Sequence, residues 1–190
     1  MPTHLRCSNP QCSELLDRNF SGYACPRSND LLDVVIDPPQ LKPAELKARW
    51  LQRRASSDLL DRSGVWRFRD FLPEYATGEV ISICEGNTPV IPGQKALEFG
   101  GVAEIGFKHL GWNPTGCFKD LGMTVAITEA RRRGKNTVAC ASTGNTAASI
   151  AAYAARAGMK ACVYLPKGKV SLNKLAQSID YGAEIIEIDG

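Results

Sequence analysis

Lys119 closes a turn-rich run, Asn113-Pro114-Thr115-Gly116-Cys117-Phe118-Lys119-Asp120, that leads straight into a helical pattern. A lysine in the first turn of a helix sits at the positive end of the helix dipole. That position disfavours the ammonium and makes the neutral, nucleophilic amine easier to reach. Amines used for Schiff-base chemistry need such a bias. A second run, Ser142-Thr143-Gly144-Asn145-Thr146, falls between a strand pattern and a helix pattern. Its backbone N–H groups and hydroxyls suit a carboxylate or a phosphate. Taken singly, each run has an ordinary alternative: a solvated surface lysine in one case, a plain helix N-cap in the other. A third group, Cys7, Cys12 and Cys25, crowds the first 25 residues, while Cys84, Cys117, Cys140 and Cys162 are scattered.

The elements that must position these residues follow from punctuation and periodicity. Leu31–Ile36 reads as a strand stopped by Asp37-Pro38-Pro39, because proline offers no ladder donor and restrains its predecessor. Pro43 to Arg62 reads as one helix with Leu46, Trp50, Leu51 and Leu59 on a loose apolar face. From Ala103 strands and helices alternate. Strand Ala103–Lys108 precedes helix Phe118–Arg133. Strand Thr137–Ala141 then precedes helix Thr146–Ala157, and strand Ala161–Leu165 precedes helix Ser171–Tyr181. Strand Glu184–Ile188 comes last. Glycines at 134, 158 and 182 close the helices, and three similarly spaced βα units argue for an α/β fold with an open parallel sheet and crossover helices. The alanine-rich helix after Asn145 is able to lie close to such a sheet. Three regions follow: a Cys-bearing module over residues 1–36, a helical and extended lead-in over 37–92, and an α/β domain over 93–190.

Composition excludes several classes. The 190 residues are 44% hydrophobic and 23% charged, as in ordinary globular proteins. A net charge of +3 without a basic stripe gives no support for nucleic acid as a partner. No apolar run is long enough for a membrane span or for the core of a signal peptide, so no membrane partner is expected. Seven cysteines, an odd number without a repeating framework, fit reduced thiols and a cytoplasmic location.

Taken together, the runs carry a family resemblance. Lys108-His109-Leu110-Gly111-Trp112 followed by the Asn113–Asp120 run resembles the lysine motif of fold-type II pyridoxal-phosphate (PLP) enzymes. Its threonine synthase version reads Asn-Pro-Thr-Gly-x-Phe-Lys-Asp. Ala141-Ser142-Thr143-Gly144-Asn145-Thr146 resembles the asparagine loop of the same enzymes, and Glu85-Gly86-Asn87-Thr88-Pro89-Val90 their Glu-Gly-x-Thr-Pro-Leu segment. Trp66-Arg67-Phe68 and Leu72-Pro73 fall where threonine synthases carry a tryptophan and a Leu-Pro pair. The resemblance spans nearly the whole chain in order. It implies the tryptophan synthase beta-like fold, with pyridoxal 5'-phosphate as cofactor. Lys119 would be the cofactor-anchoring and proton-shuttling residue, Asn145 the partner of the cofactor's ring hydroxyl, and Ser142, Thr143 and Thr146 the grip on the substrate carboxylate. The implied reaction is a lyase conversion of O-phosphohomoserine to threonine and phosphate in amino-acid biosynthesis. A sibling PLP lyase, such as a serine/threonine dehydratase or a cysteine synthase-like enzyme, is the alternative. The partner is then a small amino-acid substrate, and a homo-oligomer stays open.

The chain departs from the family pattern at Leu110, Cys117 and Leu121, where Glu, Ser and Arg are usual. The N-terminal cysteines resemble a zinc-ribbon-like start, but the second pair reads Cys25-Pro26-Arg27-Ser28 and lacks one thiolate. A degenerate, metal-free ribbon is therefore expected. The final strand runs into Asp189-Gly190 with no covering helix, and no glycine-rich phosphate loop is present. The sequence thus reads as an incomplete domain, which leaves an inactive fragment as a further reading.

Overall fold

The computed structural model describes residues 3–168 and 172–189. Three short strands come first: β1 (Thr3–Cys7), β2 (Leu15–Asp17) and β3 (Leu32–Ile36). β1 lies centrally and pairs antiparallel with both neighbours, Leu5 facing Leu16 on one side and Val34 on the other. Alternation puts Leu5 and Cys7 on the buried face and His4 and Arg6 on the other. Turns after β1 and after Cys25 bring three thiols together. Cys7, Cys12 and Cys25 offer sulfurs within 4.8 Å of one another. Asn29, at φ +61°, donates its N–H to the Cys25 carbonyl, and the Ser28 hydroxyl lies 3.2 Å from Cys7 Sγ.

The expected helix over 43–62 is two helices, α1 (Pro43–Arg54) and α2 (Leu59–Arg62). Ser56 and Asp58 cause the break. Asp58 Oδ1 accepts the Leu60 N–H and the Ser56 hydroxyl accepts the Asp58 N–H, so cap chemistry starts a new helix where periodicity alone would continue the old one. The expected apolar face fails in part. Leu46 is buried, but Leu51 and Leu59 are exposed, and Trp50 instead meets Phe68 and Phe71 at ring-centroid distances of 5.2 and 5.7 Å. A 3-10 turn over Trp66–Phe71 follows, in which Trp66 is buried. Its indole N–H donates to Thr124 Oγ1 at 2.7 Å, and that hydroxyl donates on to the Ile81 carbonyl.

β4 (Val90–Pro92) and β5 (Gly106–Lys108) form an antiparallel pair around α3 (Gln94–Gly100). The expected strand over 103–108 is therefore shorter, and it belongs to this hairpin rather than to the parallel sheet. The parallel sheet has the order β6 (Thr137–Ala141), β7 (Lys160–Pro166), β8 (Glu184–Ile188). Its register sets Ala139 against Cys162 and Val163 against Ile185. The helices α4 (Asp120–Arg132), α5 (Asn145–Ala157) and α6 (Leu172–Asp180) alternate with these strands. Small residues let α5 approach closely: Ala147, Ala148, Ala151, Ala152 and Ala154 are all buried. The core joins Ile127 of α4 and Ile150 and Tyr153 of α5 with Ile81 and Met159. A second cluster sets Val163 and Leu165 of β7 against Ala147 and Leu175. Among the described residues no helix is long and apolar enough to cross a membrane.

Glu129 of α4 ties the N-terminal strands to this core. It accepts hydrogen bonds from Arg18, Tyr75, Arg132 and Arg133. Burial alone would raise its pKa, but the arginine bonds outweigh burial and hold the carboxyl well below its usual range. Burial and the adjacent Glu129 push the Tyr75 hydroxyl up to about 12.

Asp70, 6% exposed, is the matching centre of the lead-in, accepting from Arg49, Arg53 and the Trp50 indole at 2.8, 2.5 and 3.0 Å. Burial opposes its charge, yet the bonds from Arg53, Trp50 and Arg49 bring its pKa down from 3.8 to about 2. A depressed folded-state value means the carboxylate stabilises the fold above its ordinary pKa and loses that contribution as pH falls through the folded one. Asp70→Asn should cost about 2 kcal/mol at neutral pH, the linkage value of such a shift. It should also flatten the fall in melting temperature between pH 3.8 and about 2. An unchanged acid limb in the variant would contradict this role.

Structural zinc takes four strong ligands, and three thiols with one hydroxyl fall short of that set. Protein purified without added metal should therefore carry well below one equivalent of zinc, rising in Ser28→Cys. One equivalent in the wild type, lost in Cys12→Ala, would reverse this expectation.

Candidate functional site

Gly116 has φ +77°, a left-handed conformation that costs a residue with a Cβ and that glycine takes freely. It lets the chain double back between Thr115 and Cys117 before α4 begins. Asp120, the first residue of α4, holds this turn from within. Its side chain is fully buried and accepts from the Thr115 N–H at 2.8 Å and from the Thr115 and Ser149 hydroxyls at 2.6 Å each. Hydrogen bonds to a charged acceptor are worth roughly 1.5–3 kcal/mol each, and none of these could be replaced by water without opening the core. Ser149 belongs to α5, so one carboxylate fixes the lysine run against the helix that starts at Asn145. Gln177 of α6 adds a bond to the Thr115 carbonyl at 3.0 Å. Cys117 is buried, its sulfur 3.3 Å from Thr115 Oγ1 and 3.9 Å from the Asn145 carbonyl. The two runs singled out in the sequence therefore stand side by side.

Lys119 is the residue before α4, not a member of its first turn as the sequence suggested. The amine still stands at the helix start. It is half-exposed, and its one described contact is the Phe118 ring, 5.0 Å from Nζ to centroid. Asn145 begins α5 and is exposed, one residue earlier than the expected helix start. Thr143 and Thr146 are half-buried, and Ser142 Oγ accepts the Gly144 N–H at 3.3 Å. The Asn145 and Thr146 N–H groups, first in the helix, have no intrahelical acceptor. The side chains of Lys119, Thr143, Asn145 and Thr146 make no hydrogen bond or ion pair among the described residues. An unpaired amine at the start of α4, with an unpaired amide and unpaired hydroxyls at the start of α5, fit an aldehyde-bearing aromatic cofactor and a small carboxylate substrate.

Several supporting residues have partners that no local sequence signal reveals, even where, like Asp120 and Glu85, they lie inside a family-like motif. Asp120 lies inside the lysine motif, but only the fold brings Ser149 to it. Glu85 is fully buried and accepts from Ser63, from Ser82 at 3.0 and 3.1 Å, from the Ile83 N–H at 3.2 Å and from Tyr153 at 2.8 Å. Burial and the Glu85 charge drive the Tyr153 hydroxyl far above its ordinary pKa. Next to Glu85, the Gly86 N–H donates to Asn113 Oδ1 at 2.8 Å, so the Glu85–Pro89 segment is bonded directly to the lysine run. That segment passes so close to Gly64 that a Cβ there would lie 2.3 Å from the Asn87 nitrogen. Leu110 and Leu121 are half-buried, and nothing in the structure explains their departure from the family pattern.

Comparison with known proteins gives the chain relatives and a family. The family model described as "Pyridoxal-phosphate dependent enzyme" matches residues 81–190. The chain is 40% identical over 180 residues to a threonine synthase of Methanocaldococcus jannaschii, covering 95% of this chain and 42% of that protein. It is 50% identical over 124 residues to a threonine synthase of Synechocystis, covering 65% of this chain and 32% of that protein. It thus spans less than half the length of these relatives. Among solved structures, a pyridoxal 5'-phosphate-dependent aspartate racemase shares the fold, with a TM-score of 0.50 at 23% identity over 81% of this chain and 40% of that one. The matched region holds both loops that Asp120 binds together, and on that match the chain belongs to the pyridoxal-phosphate dependent enzyme family.

Proposed function

We propose that this chain forms part of a threonine synthase that converts O-phosphohomoserine to threonine and phosphate. The observation that carries the reading is the pairing of the Asn113–Asp120 run with the Ser142–Thr146 run through Asp120 and Ser149. Its likeness to curated threonine synthases supports it.

Lys119 would hold the cofactor through Nζ and would then take and return protons at the substrate's carbons. Among the described residues no acidic side chain pairs with that nitrogen, which leaves it available for both tasks. Asn145 would orient the cofactor ring through its side-chain amide. Ser142, Thr143 and Thr146, with the N–H groups at the start of α5, receive the substrate carboxylate, where the helix dipole favours an anion. Pyridoxal phosphate, when bound, supplies the electron sink for charge developing on the substrate. Removal of one proton from the α carbon and one from the β carbon would let phosphate leave from the γ carbon. Return of a proton to the γ carbon makes the methyl group, and water then adds its hydroxyl at the β carbon while a proton returns to the α carbon, giving threonine. The free thiols, including buried Cys7, Cys25, Cys117 and Cys162, suit a reducing compartment such as the cytoplasm.

Borohydride reduction of the PLP-loaded chain followed by peptide mapping should place the label on Lys119, and Lys119→Ala should abolish it. Label on another lysine with Lys119 unmodified would sink the assignment. In a protein that carries this chain within a full-length enzyme, kcat/KM for O-phosphohomoserine should exceed that for serine, threonine and O-acetylserine by at least about a hundredfold, since discrimination lives in that ratio. A higher value for serine would favour a dehydratase.

A further inference from the structure

Between Pro43 and Phe71 the chain carries seven cations, Lys47, Arg49, Arg53, Arg54, Arg62, Arg67 and Arg69, against four carboxylates, Glu45, Asp58, Asp61 and Asp70. The carboxylates are already committed. Asp70 binds Arg49 and Arg53, and Asp61 binds Arg69 at 2.7 Å. Glu45 and Asp58 accept backbone N–H groups at the starts of α1 and α2. Lys47, Arg54, Arg62 and Arg67 are left over, and the three arginines share one place in the fold. Among the described residues the three guanidinium groups have neither a hydrogen-bond acceptor nor a carboxylate partner, and Arg67 only lies over the Phe68 ring, 5.1 Å from its centroid.

These three arginines line one open cavity of about 370 Å³, with Ser56 and Asn87 as neutral hydrogen-bonding neighbours and with Asp61, whose carboxylate is bound by Arg69, also in the lining. Like charges on a free surface would splay apart, but the backbone of this site is pinned. The Arg62 carbonyl accepts from Asn87 Nδ2 at 2.6 Å, and the Arg67 carbonyl accepts from Arg53 at 2.7 Å. Burial and then the charge of Arg54 disfavour the Arg67 guanidinium, which Asp61 offsets only in part. A guanidinium does not escape such a cost by deprotonating. An oxyanion between the arginines would remove it, and the planar fork of arginine matches a phosphate in particular.

We propose that Arg54, Arg62 and Arg67 form a binding site for a phosphate-class oxyanion, against the wall made by Cys84 and Asn87. None of its residues belongs to the Lys119 or Asn145 runs, so the proposal stands whether or not the threonine synthase reading does. The wall is shared, however. Cys84 and Asn87 hold left-handed conformations at φ +63° and +53°, and Gly86 between them donates to Asn113 of the lysine run. An anion seated here would brace the segment against which the lysine run is bonded.

Titration of the PLP-free chain with inorganic phosphate, read by calorimetry and by melting temperature at ionic strength held constant with chloride, tests this site. Saturable binding is expected, weakened at least about tenfold in Arg54→Gln/Arg67→Gln, a loss of the size given by one charge-assisted contact. The charge-matched control Arg131→Gln/Lys135→Gln should bind like the wild type. If the double variant does not fold, as judged by circular dichroism, exposed Arg62→Gln serves in its place. O-phosphoserine competing more tightly than phosphate, with the same loss in the variant, would assign a phosphomonoester as ligand, and weaker competition would assign the free ion. No saturable binding, an equal response to chloride, or undiminished binding in the variants would overturn the proposal.

Discussion

A carboxylate with no exposure and no cationic partner among the described residues, Asp120, is the point on which the arrangement of this chain turns. Leaving a charge of this kind unpaired inside a protein costs several kcal/mol, so it persists only where donors are aimed at it. Here the donors come from two different elements, Thr115 in the lysine run and Ser149 in the middle of α5. The carboxylate can be satisfied only when the run and the helix are docked. Its burial therefore makes the position of Lys119 relative to Asn145 a condition of folding.

The same device recurs at other seams. Glu85 joins the lead-in to α5 through Ser63, Ser82 and Tyr153, and Glu129 joins the N-terminal strands to α4 through Arg18 and its own helical neighbours. Asp70 binds α1 to the turn at Trp66–Phe71. The acids differ in their partners according to depth. Hydroxyls and amides serve Asp120 and Glu85, which are fully buried, while arginines serve the partly exposed Glu129 of α4 and Asp70, which is buried but reached by the exposed Arg49. Arginine can reach an acid beneath the surface while its own charge stays partly hydrated, which a deeper site does not permit.

Much of the parallel sheet was legible in the chain itself. Thr137–Ala141 and Glu184–Ile188 carry the expected bounds, and β7 differs from its expected span by one residue at each end. Glycine punctuation and short β-branched runs leave little choice there. The lead-in was not legible in the same way. Leu51 and Leu59 fit an apolar stripe, but Ser56 and Asp58 form hydrogen bonds that outweigh periodicity. Ala103–Lys108 looked like one more strand of the parallel series. Strand pattern does not reveal a partner, and Gly106–Lys108 pairs backwards with Val90–Pro92.

By itself the sequence determined which side chains can do chemistry. An amine at a helix start, an asparagine and hydroxyls at another, and three thiols near the N-terminus depend on residue type and local spacing, which the chain carries directly. Only the tertiary structure decided which of them meet. Asp120 and Ser149 are 29 residues apart, and Glu85 and Tyr153 are 68 apart. Contacts over such separations arise because buried acids must find donors wherever packing brings them, and no local pattern records that requirement. The leftover arginines follow the same logic. Arg54, Arg62 and Arg67 are three cations among seven between Pro43 and Phe71, and they have no carboxylate partner among the described residues because the fold gave the nearby carboxylates to other groups.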